Sequence, residues 1–263
     1  MKNILGAAVL VSLAASSLRA AEPAKKPDEK MISIGASTES EFEEFDAEFG
    51  KQKQESLRVS DPLRGFNRAM FWFNDKFYFY FAKPIAKGYG FIIPEPARVS
   101  INRAFTNSTF AVRFVNAGLQ LRFKGAGHEL ERFLVNTTLG IGGLFDPADK
   151  WFHIKACEAD FGQTFGRWGI GHGPPLVLPI LGQTNVRDGI GLVPNFLGDP
   201  PYWFLPYWSY VGYTAGVKMN YVSLHIGDYE KVKKDSLDPY TFIRDAHLQY
   251  REKKVQEAKE NKD

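Results

Sequence analysis

The side chains able to do chemistry are few and poorly grouped. The five histidines stand at 128, 153, 172, 225 and 247. His128 precedes Glu129 and Glu131, but a zinc-binding HExxH helix needs a second histidine four residues on, where this chain has Arg132. Cys157, the one cysteine, has His153 nearby and no further Cys or His at ligand spacing, which favours a buried thiol over a metal ligand. No GxSxG supplies a nucleophile elbow. The glycine-rich GIGG at 140–143 and GIGHG at 169–173 lack the spacing of a phosphate-cradling loop, so tight turns and close backbone approach are their expected use. What remains is polar groups in unusual company: Asn67, Arg68 and Asn74 within an aromatic run, and Arg187 with Asp188 in a Gly-rich turn. Ion pairs or helix caps are one use for them; lining a path for a lipid headgroup is the other. The pattern points away from catalysis, metal and cofactor.

The element that must position the first group is DPLRGFNRAMFWFNDKFYFYFAKPIA, residues 61–86. On a helix, Phe66, Met70, Phe73, Phe77 and Phe81 form one stripe, and Phe71, Trp72, Tyr78 and Tyr80 widen it beyond what a small soluble core buries. Asn74, Asp75 and Lys76 interrupt the run, so it falls short of the roughly 20 apolar residues of a membrane-crossing helix. A lipid interface suits such rings, and Phe66, Met70, Phe71, Trp72, Phe73, Phe77 and Tyr80 are the candidate interface residues.

Lys2, an apolar run from Ile4 to Ala15 and Ser16 to Ala20 have the layout of a cleavable export signal over 1–20, with cleavage after Ala20 or Ala21. Loss of Lys2 and Arg19 takes the 33 basic residues to 31 against 30 acids, a net of +1 that gives no reason to expect a nucleic-acid partner. Residues 21–58 read as an acidic flexible tether, with Phe42, Phe45 and Phe49 at helical spacing among the acids. Within 59–252, one domain is expected. TNSTFAVRFVNAGLQLRF predicts a helix capped by Asn107 or Ser108 with Phe110, Phe114, Ala117 and Leu121 on one face. HELERFLVNTTLG predicts another, with Leu130, Phe133 and Leu134 inward, Glu129, Glu131 and Arg132 toward water, and Gly140 as its stop. Gly and Pro make 140–206 an irregular segment, 213–234 an amphipathic helix follows, and a last helix opens at Asp238–Pro239 and fades into a frayed charged tail at 253–263.

Five blocks carry a resemblance: DPLRGFNRAMFWFN at 61–74, PEPARVSINRAFTN at 94–107, ERFLVNTTLGIGGLFDPA at 131–148, DFGQTFGRWGIGHGPPLVLPILGQTNVRDGIG at 160–191, and DPYTFIRDAHLQYR at 238–251. In this order they resemble the MlaA, or VacJ, family of outer-membrane phospholipid-transport proteins. The resemblance implies a mainly α fold: a ring of amphipathic, interface-lying helices with Gly/Pro-rich irregular segments around a central polar channel. It implies that phospholipid mislocalised to the outer leaflet passes through to a periplasmic lipid carrier, beside a trimeric porin, at the periplasmic face of the outer membrane. Channel or gate candidates are Asn67, Arg68, Asn74, Arg187 and Asp188. Family members are often lipoproteins, whereas no cysteine follows the signal here, so an unlipidated protein is expected. A secreted lipid hydrolase and a structural membrane- or porin-binding protein are the alternatives.

Overall fold

A computed structural model describes residues 59–260; the signal, the tether and the last three residues of the tail lie outside them. The fold is mainly helical. Helix α1 (Arg64–Phe77) runs through Asn74–Lys76 without a break, because Asp75 points inward to Tyr229 Oη at 2.8 Å and Lys233 Nζ at 2.6 Å. The polar interruption expected there is therefore an anchoring point. The irregularity comes two residues later, as a π turn over Tyr78–Ala82, from which the chain runs on into α2 (Lys83–Ile92) with Pro84, which has no N–H to give to the helix ladder, just after it.

After Pro94, α3 (Glu95–Ser108) and α4 (Phe110–Leu119) follow, with the break at Thr109 in place of the expected Asn107 or Ser108 cap. Helix α5 (Phe123–Thr138) packs beside α4, with Phe110 stacked on Phe133 at 3.6 Å between ring centres and a small cluster of Ala117, Ala126, Cys157 and Ala159 where the two helices meet the 157–159 segment.

Residues 140–206 are more regular than their Gly and Pro content predicts. They hold α6 (Pro147–Lys150), α7 (Phe161–Arg167), α8 (Val186–Leu197), α9 (Pro200–Phe204) and an antiparallel hairpin of β1 (Pro175–Leu178) and β2 (Gly182–Asn185), in which Leu176 faces Thr184. The predicted 213–234 helix is two: α10 (Tyr207–Leu224) and α11 (Asp228–Asp235), separated by Gly227 at φ 103°. Helix α12 (Pro239–Lys259) begins as expected, with the Asp238 carboxylate accepting from Thr241 N–H. It does not fray at 253: Val255 and Ala258 are buried. No described helix is long and apolar enough to cross a membrane.

Candidate lipid-binding surface and polar interior

The polarity of this fold is reversed from that of a water-soluble domain. Among the described residues, buried polar and charged positions outnumber buried apolar ones, and many of the latter are alanines. The large apolar side chains lie outside. Phe91 is 93% exposed, Phe204 85% and Trp208 78%, and Phe123, Trp203 and Ile92 are similarly bare. Burying a side chain of this size in an apolar phase is worth roughly 1.5–3 kcal/mol, so leaving so many in water would be costly.

Of the candidate interface residues, Phe66, Trp72 and Phe73 on α1 and Tyr80 in the π turn are exposed, and Phe81 joins them. Met70, Phe71 and Phe77 are half-buried. Phe71 meets Tyr240 of α12 edge-on at 5.8 Å, which ties the two helices, while Phe77 lies against Phe73 and Phe81 of its own helical run.

The same reversal governs α5. Leu130 and Leu134, expected inward, are exposed, while Glu129, expected outward, is fully buried. The Glu129 carboxylate accepts from Arg113 Nε and from the backbone N–H of Cys157, both at 2.6 Å. Two turns on, Asn136 donates to Asp146 at 2.9 Å and accepts from Ala148 N–H at 3.1 Å, and Arg132 pairs with Asp146 at 2.7 Å. Two helices thus meet through polar groups where a soluble bundle would use leucines.

The densest polar knot joins α7, α8 and α12. Arg251, in the last helix, spans both carboxylates: Nη1 and Nη2 reach Asp160 at 2.6 and 2.8 Å, and Nε reaches Asp188 at 2.6 Å. Arg187 adds a bond from Nε to Asp188 at 2.9 Å. Asp160 also caps α7, and Asn185 caps α8 while donating to Asp188. Burial pushes the Asp188 carboxyl up, but Arg251 and then Arg187 outweigh it and hold the group at about 2. His247 beside this knot is held down at about 4 by burial and by Arg251, which keeps it neutral. The approach demands glycine at 162: a Cβ there would stand 2.5 Å from Asp188 Oδ1 and 2.7 Å from Arg251 Nη2. Asp160, Gly162 and Arg251 were legible only as parts of similarity blocks, since 91 positions separate Asp160 from Arg251.

The five channel candidates fare unevenly. Asn67 is fully buried, donating to Asp61 at 2.9 Å and to Pro175 C=O at 3.0 Å and accepting from Val177 N–H at 2.9 Å. Asn74 grips the same hairpin through Leu178 C=O and Ile180 N–H. Both asparagines are struts that hold α1 to β1 and its turn, where the backbone has polar groups to satisfy. Arg187 and Asp188 are consumed in the buried knot. Only Arg68 of the five is exposed, and it pairs with Asp238 beside the Tyr240 ring. These positions therefore build the wall more than they line a passage. Among the described residues, no three His, Cys, Asp or Glu side chains gather to hold a metal ion.

Comparison with known proteins agrees with this arrangement. The sequence profile of the family described as MlaA lipoprotein matches residues 59–254. A protein of Escherichia coli (strain K12) named "Intermembrane phospholipid transport system lipoprotein MlaA" is 32% identical over 199 residues, covering 72% of this chain and 76% of that protein. An uncharacterized protein of Rickettsia felis is 38% identical over 214 residues, covering 79% and 82%. A solved structure described as "Structural basis for maintenance of bacterial outer membrane lipid asymmetry" superposes with a TM-score of 0.62 at 31% identity, covering 74% of this chain and 99% of that one. With the profile spanning the whole helical domain, the chain belongs to the MlaA lipoprotein family.

Proposed function

We propose that the protein is the outer-membrane component of an intermembrane phospholipid transport system, and that it removes mislocalised phospholipid from the outer leaflet and passes it to a periplasmic lipid carrier beside a porin. The observation that carries this reading is the reversed polarity: apolar rings outside, paired charges and amides inside. A phospholipid headgroup crossing hydrocarbon exposes charge at a cost of several kcal/mol, and a polar interior clad in apolar side chains lowers that cost while the acyl chains stay in lipid. Helices that lie in the interface suit this better than helices that cross it.

Nothing in such transfer makes or breaks a covalent bond, and the protein acts without catalysis. The apolar exterior supplies its own anchor. The relatives' names call them lipoproteins, but the single cysteine of this sequence, Cys157, is only 4% exposed between α4 and α5, where an acyl chain has no exit. Direction of flow is set by energy-coupled partners.

The test is transfer of a fluorescent phospholipid by the purified protein from donor vesicles to an acceptor carrier protein. Intact lipid in the acceptor supports the reading. Release of fatty acid or headgroup would replace it with a hydrolase, and unchanged outer-leaflet phospholipid in a deletion strain would leave a structural role.

A further inference from the structure

A second polar space lies between α3, α4 and α5, a cavity of about 60 Å³. Three guanidinium groups line it, Arg103, Arg113 and Arg132, with the single carboxylate of Asp146, and Phe133 forms an apolar wall. Two of the three arginines are engaged. Arg113 is paired with Glu129 behind the wall and Arg132 with Asp146. Arg103 is half-buried and has no hydrogen bond or ion pair within the described residues. Arg187, Arg244 and Arg251, all buried, are matched with Asp188, Asp61 and Asp160. With Glu129 and Asp146 set against the three arginines, the cavity keeps an excess of one positive charge.

An uncompensated guanidinium in a confined space favours an anion there. Arginine's planar fork offers two parallel N–H groups that fit two oxygens of a phosphate. A cavity of about 60 Å³ has room for more than one oxygen-sized atom. The Asn102 side chain also lines the space and adds an amide donor.

We propose that this cavity is a phosphate-binding site with Arg103 as its principal ligand, taking either the phosphodiester of a phospholipid headgroup or free phosphate. The lipid form rests on the transport reading above.

The test is equilibrium binding of labelled orthophosphate and, separately, of a short-chain phosphatidylglycerol to the full chain in detergent micelles, for wild type, Arg103→Gln and Arg103→Lys. Arg103→Gln is expected to weaken binding about tenfold or more, the effect of losing a charge-assisted pair of hydrogen bonds. Arg103→Lys, which keeps the charge and loses the fork, should weaken it less. If lipid affinity falls and orthophosphate does not bind measurably, the site reads headgroups; if orthophosphate affinity falls and lipid affinity does not, it reads free phosphate; if both fall, it reads the phosphate group in either. Affinities within about twofold of wild type for both ligands, or no binding of either, overturn the proposal. Arg103 holds no partner among the described residues, so Arg103→Gln should keep the thermal midpoint; if it lowers the midpoint, Arg103→Lys carries the comparison. Wild type that moves lipid between vesicles while Arg103→Gln binds normally sinks this site alone. Wild type that moves none, with orthophosphate binding still dependent on Arg103, sinks the transport reading alone.

Discussion

Replacing Arg251 by methionine removes the guanidinium that holds two buried carboxylates together. Asp160 is 7% exposed, Asp188 6% and Arg251 4%, and the three bonds lost are 2.6, 2.8 and 2.6 Å long. Breaking a buried pair from one side costs about 3–5 kcal/mol, because the partner charges stay behind unmatched. In a domain of this size each kcal/mol moves the midpoint roughly 2–4 °C, so thermal unfolding followed by circular dichroism should drop by about 6–20 °C at pH 7. The pH dependence carries the sharper signature. In the wild type Asp188 sits at about 2 against an ordinary 3.8, a depressed carboxyl whose contribution, roughly 2 kcal/mol, is present above pH 3.8 and lost as pH falls toward 2. In the variant Arg187 and the Asn185 amide are left to oppose burial without Arg251, the largest opposing influence, so most of that contribution is gone at every pH. The gap between the two proteins should therefore narrow between pH 4 and pH 2. A midpoint within about 2 °C of wild type at pH 7, or a gap that widens in acid, would refute the reasoning.

Two further outcomes follow from the same geometry. Trp72, Phe91 and Phe204 are 62%, 93% and 85% exposed, so changing all three to serine should leave the fold intact yet remove roughly 1.5–3 kcal/mol of membrane affinity each, read as loss of vesicle co-flotation. Retention on vesicles together with a lowered thermal midpoint would mean that these rings are core. Asp199 is pushed up to about 6 by burial, only partly offset by the hydroxyl of Tyr210, which donates to it at 2.9 Å. A carboxyl raised in the folded state takes up its proton there first, so stability should rise as pH falls through 6 and level off near 3.8. Asp199→Asn should raise the midpoint by a few degrees at pH 8, with little change near pH 4; equal shifts at both pH values would exclude a titrating Asp199.

The start of the last helix was legible because Asp238 and Pro239 act locally, through a cap and a fixed φ. The exposure of much of the aromatic run was legible because a core of this size has no room for so many rings, and Phe66, Trp72, Phe73, Tyr80 and Phe81 are exposed. Periodicity found α5 but assigned its faces backwards, since the assumption that apolar means inward fails where the surroundings are apolar and Glu129 can be matched inside. The β-hairpin escaped notice: its strands are four residues each. What holds β1 is Asn67, bonded across more than a hundred positions. Asn74–Lys76 looked like a break for the same reason, as Asp75's partners lie 154 and 158 residues away. Polar groups in an aromatic run left open both ties within the fold and a path for a headgroup; Asn67 and Asn74 tie α1 to the hairpin, through partners more than a hundred positions away.

The central claim is that this fold turns its apolar side chains toward lipid, and the tryptophans report on it directly. All five, Trp72, Trp151, Trp168, Trp203 and Trp208, are more than half exposed. With the protein in vesicles whose acyl chains are brominated, their fluorescence should be strongly quenched, while aqueous iodide quenches little. Emission quenched by iodide and indifferent to the brominated chains would contradict the account.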